Sequence, residues 1–401
     1  MTEEVERGEP ALAQRVGNIA PFRVVEVLER ARALAREGHD VIHLEVGEPD
    51  FETPQAIVRA GQAALAAGHT RYTEALGIPE LRQAVAGHYR RMGISLDAER
   101  VVITAGASGA LVLAAALLLD PGSELLLPDP GYPCNEVFAQ LVGARPVALP
   151  TRAENAFQPL PAQVEAAWTE DTRALLLASP SNPTGAVLAP AQLRALTDTV
   201  RGLGGVVLFD EIYQGLVFDV PAPHWSGLAV DDELLIINSF SKYFGMTGWR
   251  LGWLVLPQHM LTAVSALAQN LFISPSAPAQ QAALAAFSDA AQSDCEARRA
   301  QFEARRAVLR EGLVELGFGV PVEPAGAFYV FADISPLNLG IDGMAFCQRL
   351  LEEEYVAVTP GIDFGSNGTD QFVRFAYTDS VPRIESALQR IAAALHRWQA
   401  R

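Results

Sequence analysis

The residues of this chain best suited to covalent chemistry sit in one stretch, Ser239-Phe-Ser241-Lys242 followed by Gly245-Met-Thr-Gly248-Trp-Arg250. Lys242 comes just after an apolar run, 234–239, that reads as a buried strand. A cationic amine in such a place costs free energy unless it is paired or neutral. The same burial lowers its proton affinity and leaves a nucleophile able to attack carbonyl compounds. Read alone, a solvated loop lysine is the simpler account. The glycines let backbone approach a ligand closely, and Arg250 offers a planar fork suited to a phosphate.

A second stretch, Gly205-Val-Val-Leu-Phe-Asp210-Glu211-Ile-Tyr213, ends an apolar strand on an acid. That is the carboxyl edge where ligands bind in open α/β sheets. A carboxylate there can hold a ring nitrogen protonated, or it can simply cap a loop; Tyr213 can equally be core. A third stretch, Val101-Val-Ile-Thr-Ala-Gly106-Ala107-Ser108-Gly109, reads as strand, turn and helix. Free amides at a helix start attract anions. The dipole contributes roughly 0.3–1 kcal/mol, or about 2 when partly buried, so Arg250 would carry much of any phosphate affinity. Ser108 also fits a plain N-cap.

The same turn nearly matches a Gly-x-Ser-x-Gly nucleophile elbow, with Ala110 in the last position. A hydrolase built on Ser108 would need Asp210 and either His224 or His259, and would leave Lys242 and Arg250 without work. Tyr132, in Asp129-Pro-Gly-Tyr-Pro133, and Asn182, in Ser179-Pro-Ser-Asn-Pro-Thr-Gly185, follow apolar strands in turn sequences. As site residues, Tyr132 would stack on a flat ring and Asn182 would donate to a phenolate oxygen.

Positioning these groups falls to a series of short apolar runs, 101–104, 124–128, 145–149, 174–178, 206–210, 234–239 and 251–256. Helical patterns at 108–119, 135–141 and 190–201 lie between them, which predicts an α/β fold with a mainly parallel sheet sandwiched by helices. Helices at 22–38 and 297–316, with strands at 328–333 and 372–377, predict a smaller α+β domain holding two helices after Asp289. The expected division is 48–290 for the large domain, 15–47 with 291–401 for the small one, and 1–14 as a tail. A chain of 401 residues suits two such domains.

Half of the residues are hydrophobic, so a large core can be buried, and the formal net charge of −17 disfavours nucleic acid or an anionic membrane as partner. Cys134, Cys295 and Cys347 are odd in number and lack a Cys-x-x-Cys pair, so neither a disulfide framework nor a zinc site is expected. The chain opens on no basic and apolar leader, and the run 110–119 is too short for a membrane span. A cytoplasmic protein is expected.

Taken together, these segments resemble the class I/II aminotransferases of fold type I, the aspartate-aminotransferase-like, pyridoxal-phosphate-dependent enzymes. The likeness runs from about residue 16 to 395. It includes Glu45-Val-Gly-Glu-Pro-Asp-Phe51 and Arg71-Tyr72-Thr73 with Gly77-Ile-Pro-Glu-Leu-Arg82, besides the segments around Asn182, Asp210 and Lys242. The resemblance implies that Lys242 holds pyridoxal 5′-phosphate as a Schiff base and that Asp210 pairs with the pyridine nitrogen. It further implies that Asn182 and Tyr213 contact the ring's 3-oxygen and that Tyr132 stacks on the ring. Ala107, Ser108, Ser239 and Arg250, with Tyr72 from a partner subunit, would bind the phosphate. Arg374, in Phe372-Val-Arg-Phe-Ala-Tyr377, would grip the substrate's α-carboxylate, helped by Gly47. The expected activity is ping-pong transfer of an amino group from an amino acid to a 2-oxo acid, in a homodimer with shared sites.

Two stretches depart from the family's pattern, Pro133-Cys134-Asn135 and Leu271-Phe-Ile-Ser-Pro-Ser-Ala277, and they put aspartate specificity in doubt. A β-lyase would share every motif. A non-catalytic regulator would need a DNA-binding module, which the acidic balance disfavours.

Overall fold

The seven apolar runs become seven strands of one sheet in the computed structural model, which describes residues 12–19, 21–218 and 225–400. His224 and most of the expected tail lie outside the described residues. The strands are β1 Val101–Thr104, β2 Glu124–Asp129, β3 Arg145–Pro150, β4 Thr172–Ala178, β5 Val206–Asp210, β6 Leu235–Ser239 and β7 Gly252–Val255. Their order across the sheet is β1-β7-β6-β5-β4-β2-β3. Only β7 runs against its neighbours.

That reversal matters for function. Gly252, the first residue of β7, pairs with Thr104 and Ser239, the last residues of β1 and β6. The start of β7 therefore lies at the edge where the other strands end. Arg250, two residues before β7, is delivered to the same edge as Asp210 and Lys242.

Both faces of the sheet are covered, as continuous apolar strands require. On one face Val102, Leu125, Leu176, Leu208 and Ile237 pack with Ala110, Leu111 and Ala114 of the helix Gly106–Leu118. Alternate residues, among them Ile103, Leu126, Leu175, Phe209 and Ile236, pack on the other face with Leu193, Leu196 and Val200 of the helix Pro190–Gly202. Each large side chain buried this way contributes about 1.5–3 kcal/mol.

A second, smaller group of strands stands beyond the sheet's carboxyl edge. Phe372–Ala376 lies between Tyr329–Asp333 and Thr359–Pro360, antiparallel to both, while Ile42–His43 pairs in parallel with Val356–Ala357. Three helices follow residue 288 among the described residues, rather than the two expected: Asp289–Glu315, Gly343–Glu354 and Val381–Gln399. The first begins at Asp289 instead of 297 because Ser288 caps it, its hydroxyl accepting from Ala291 N–H.

Candidate active site

Between the carboxyl edge of the large sheet and the small strands lies a cavity of about 540 Å³. Lys242, Asp210, Tyr213, Asn182, Tyr132, Ala107, Ser108, Arg250, Arg374 and Gly47 all line it. These ten of the expected site residues come together from seven separate stretches of chain.

Lys242 leaves the loop after β6 and donates from Nζ to the Gly47 carbonyl at 2.7 Å. Burial pulls its pKa down to about 8; Glu48 resists the fall, while Arg374 and Arg250 add to it. Asp210 closes β5, and its Oδ1 accepts from Ile212 N–H at 2.9 Å. Burial raises its carboxyl to about 7 against that bond, and no cation contributes. An acid and an amine thus face one cavity, each driven toward its neutral form by desolvation. The adjacent Glu211 turns into the core, where it accepts from Ser226 Oγ at 2.7 Å and Gly227 N–H at 2.6 Å.

At the far wall Arg374 is buried on the middle small strand. Its Nη1 donates to Asn182 Oδ1 at 2.9 Å, and its Nη2 to the Glu45 carbonyl at 2.7 Å and Thr359 Oγ1 at 3.3 Å. Each of these acceptors is neutral, and Nε has no partner. The guanidinium lies 4.3 Å from the Tyr329 ring centre and 4.7 Å from that of Phe364. A buried fork whose hydrogen-bond partners are all neutral, with a spare donor, is suited to an anion. Because Arg374 only donates, Asn182 must turn its oxygen to it, which leaves the amide nitrogen for the cavity.

Tyr213 and Tyr329 are buried with their hydroxyls 2.8 Å apart. Gly47 lies against the same Tyr329 hydroxyl, where a Cβ would collide. Any larger residue would push Tyr329 from Tyr213 and shift the carbonyl that holds Lys242.

The anion-seeking end is built at the start of the helix Gly106–Leu118. Its N-cap, Ala105, provides no side-chain bond, so the first amides stay free of a side-chain acceptor. Ser108 is the third helical residue and exposed, not the N-cap. Arg250 sits at φ 53°, with Nη1 donating to the Thr247 carbonyl at 2.9 Å. A Cβ on Gly106, itself at φ +72°, would come within 2.7 Å of Arg250 Nη2. Glycine therefore keeps the space between the helix start and the guanidinium open.

Two expected residues are not brought to this cavity. Ser239 is buried, its hydroxyl 2.9 Å from Ser241 Oγ and 3.1 Å from the Leu251 carbonyl, and Ser241 lines the cavity in its place. Tyr72 is 82 % exposed and lies outside the cavity. The hydrolase reading finds no assembly: His259 pairs at the surface with Glu233 at 3.8 Å, and no histidine lines the cavity among the described residues.

Tyr329, Phe364, Glu48 and Glu45 also line the cavity, and nothing in the sequence marks any of them as a site residue, although the two acids lie in segment 45–51. Glu45 is wholly buried, and its Oε1 lies 2.8 Å from His43 Nδ1. Among the described residues no cluster of His, Cys, Asp and Glu could hold a metal ion, and no helix is long and apolar enough to cross a membrane.

Comparison with known proteins adds an independent line. The model of the family described as aminotransferase class I and II matches residues 39–391. The valine–pyruvate aminotransferase of Mycobacterium tuberculosis is 37% identical over 385 residues, covering 96% of this chain and 98% of that one. The aspartate/prephenate aminotransferase of Thermus thermophilus is 37% identical over 390 residues, covering 96% and 99%. Among solved structures, an aminotransferase from M. tuberculosis superposes with a TM-score of 0.92 at 36% identity, covering 97% of this chain and 100% of that one. The T. thermophilus aspartate aminotransferase with maleate gives a TM-score of 0.89 at 36% identity, covering 96% and 99%.

Proposed function

The chain belongs to the class I and II aminotransferase family, and from that premise we propose that it transfers amino groups on pyridoxal 5′-phosphate held at Lys242. The observation that carries this reading is the meeting, in one cavity, of a buried lysine amine, a buried acid bonded only to a backbone N–H, and a guanidinium beside an uncapped helix start.

The residues fit the cofactor. Asp210 is buried without a cationic partner, and a protonated pyridine nitrogen supplies one. The space that a Cβ on Gly106 would fill, beside Arg250 and the uncapped helix start, suits the phosphate, with Ala107, Ser108 and Ser241 around it. Asn182 Nδ2 and the Tyr213 hydroxyl would bind the ring's 3-oxygen, and Tyr132 would cover the ring. When bound, the cofactor supplies the electron sink that loosens the substrate's Cα–H bond.

The chain's own residues do the rest. Arg374 binds the α-carboxylate and so fixes which bond at Cα is presented. Gly47 holds Lys242 Nζ by its carbonyl and positions it. Once the substrate's amine has displaced it, Lys242 Nζ would be the base that takes the proton from Cα and gives it back, burial having lowered its proton affinity. Water would supply the keto oxygen of the first 2-oxo acid, the amino group would stay behind on the bound cofactor, and a second 2-oxo acid would take that group up and return the oxygen as water.

The proposal includes a large domain over 48–290, a small one over 15–47 and 291–401, and a cytoplasmic homodimer. In that dimer Tyr72, exposed on its own protomer, reaches the partner's phosphate site. Substrates are an amino acid and a 2-oxo acid, the relatives being named for valine with pyruvate as well as for aspartate.

Reconstitution tests the assignment. The purified chain with pyridoxal phosphate is expected to turn yellow, and borohydride to fix a pyridoxyl group on Lys242. Lys242→Ala should lose both the adduct and nearly all turnover. A Lys242→Ala protein with normal turnover would rule the lysine out.

A further inference from the structure

A second cavity of about 420 Å³ adjoins the first and shares Tyr132, Asn182, Asp363 and Phe364 with it. Arg374 stands at the junction, bonded to Asn182 and covered by the Phe364 ring. We propose that this compartment receives the substrate's side chain and selects bulky uncharged ones, excluding those with a second carboxylate. The inference rests on the transaminase reading and names its substrate class.

The first support is a count of cations. Among the described residues lining either cavity, the cationic ones are Arg23, Lys242, Arg250 and Arg374. The last three have tasks at the α-carboxylate, the amine and the phosphate. Arg23 pairs with Glu26 at 2.8 Å, with both side chains about half exposed, and its backbone N–H donates to Asp363 Oδ1 at 2.7 Å. No cation is left to neutralise a distal carboxylate.

The second support is the sign of the remaining charge. Asp129, Glu136 and Asp363 line the compartment. Asp129 is held by Ser366 N–H at 3.2 Å and Asn367 N–H at 3.4 Å, and Asp363 by Arg23 and Val24 N–H at 2.7 Å each. Backbone N–H groups hold both acids, although burial still pushes the Asp363 carboxyl up, and an incoming carboxylate would lose hydration beside them without gaining a cation.

The third support is the rest of the wall. Phe22, Leu127, Phe157 and Ile362 offer apolar surface, and Asn135 and Gln140 offer neutral amides. Asn135 Oδ1 and Gln140 Oε1 are each buried without a donor. A carboxylate brings only more lone pairs to such a wall; the amide nitrogens could donate to it but could not balance its charge. An aliphatic, thioether or aromatic side chain needs no such balance.

The test uses the full chain reconstituted with pyridoxal phosphate. Leucine, methionine, phenylalanine, aspartate and glutamate are compared by the cofactor's absorbance change, as kcat/KM. The uncharged three are expected to exceed aspartate and glutamate by at least tenfold. Gln140→Arg, which brings a cation to the compartment, should raise the aspartate-to-leucine ratio at least tenfold. Aspartate or glutamate matching leucine and phenylalanine in the unaltered protein would overturn the inference while leaving transamination intact; a cation lent by the partner subunit would give that result. If none of the five is converted although borohydride fixes the cofactor on Lys242, the transaminase reading fails, and the selectivity with it.

Discussion

On one wall of the cavity Asn182, Asp210 and Lys242 each occupy a loop or end of a strand in a single sheet, and Arg250 reaches the same edge through the reversed β7. On the other wall Arg374, Thr359, Tyr329 and the carbonyls of Glu45 and Gly47 come from strands and loops remote in sequence. The first wall inherits its geometry from a buried sheet with helices on both faces. The second exists only when several distant segments dock correctly. On the proposed reading, covalent chemistry is placed on the sheet frame, and substrate recognition on the part assembled from distant segments, with Asn182 and the Gly47 carbonyl joining the two.

The largest expected effect follows from Arg374, where the second wall converges. Arg374→Lys keeps a charge but loses the fork. The Glu45 carbonyl keeps the Thr359 hydroxyl as donor, but Asn182 Oδ1 would depend on the ammonium of one shorter side chain, and a buried acceptor left unpaired costs about 1–3 kcal/mol. A fall in kcat/KM for amino acids of roughly 10²-fold or more is expected, chiefly as a rise in KM. Cofactor retention should fall much less, because Arg374 reaches the cofactor's wall by hydrogen bond only through Asn182. Steady-state kinetics alongside the bound cofactor's spectrum reads both; equal losses in the two would show that the walls are not independent.

A smaller effect is expected from Tyr329→Phe. The substitution keeps the ring under Arg374 and removes the hydroxyl 2.8 Å from that of Tyr213. Losing one neutral hydrogen bond costs about 0.5–1.5 kcal/mol, so kcat should fall by roughly threefold to tenfold with KM for the amino acid nearly unchanged. A rise in KM as large as that for Arg374→Lys would mean that the hydroxyl, rather than the ring, serves the carboxylate side.

The same division governs what could be read from the sequence. Asp210 and Lys242 follow long apolar runs, and a charged group at the end of a buried strand is a local signal. Arg250 was legible through its spacing from Lys242, although the reversed strand that delivers it was not. Tyr329, Thr359 and Glu45 gave no such signal, since their meeting depends on pairing registers such as Arg374 with Phe331 and Thr359. Ser239 and Ser241 show how coarse motif reading is: two serines in one motif differ in which one faces the cavity, and the pleat decides. The start of the helix at Asp289 was missed because its cap, Ser288, precedes residues without strong apolar periodicity.

The smallest expected effect probes the support behind Arg374. His43 Nδ1 lies 2.8 Å from Glu45 Oε1, and that hydrogen bond is the main reason the imidazole's pKa is raised, burial opposing it. Glu45 Oε2 is buried without a partner, so His43 is the chief compensation for this carboxylate. A raised folded-state pKa means that protonated His43 adds stability fully below the unfolded value, about 6.5. That increment fades as pH climbs through the higher folded value. The His43 side chain is 38 % exposed, so screening limits the pH-dependent part to a few tenths of a kcal/mol. Thermal melts of the protein and of His43→Ala should therefore differ most near pH 6 and converge toward pH 8.5. They should not coincide there, because neutral imidazole can still donate from Nδ1. Should the difference in Tm stay constant across that range, the ion pair contributes nothing, and the Glu45 carbonyl that receives Arg374 is held by the backbone and the Thr359 hydroxyl without help from its own side chain.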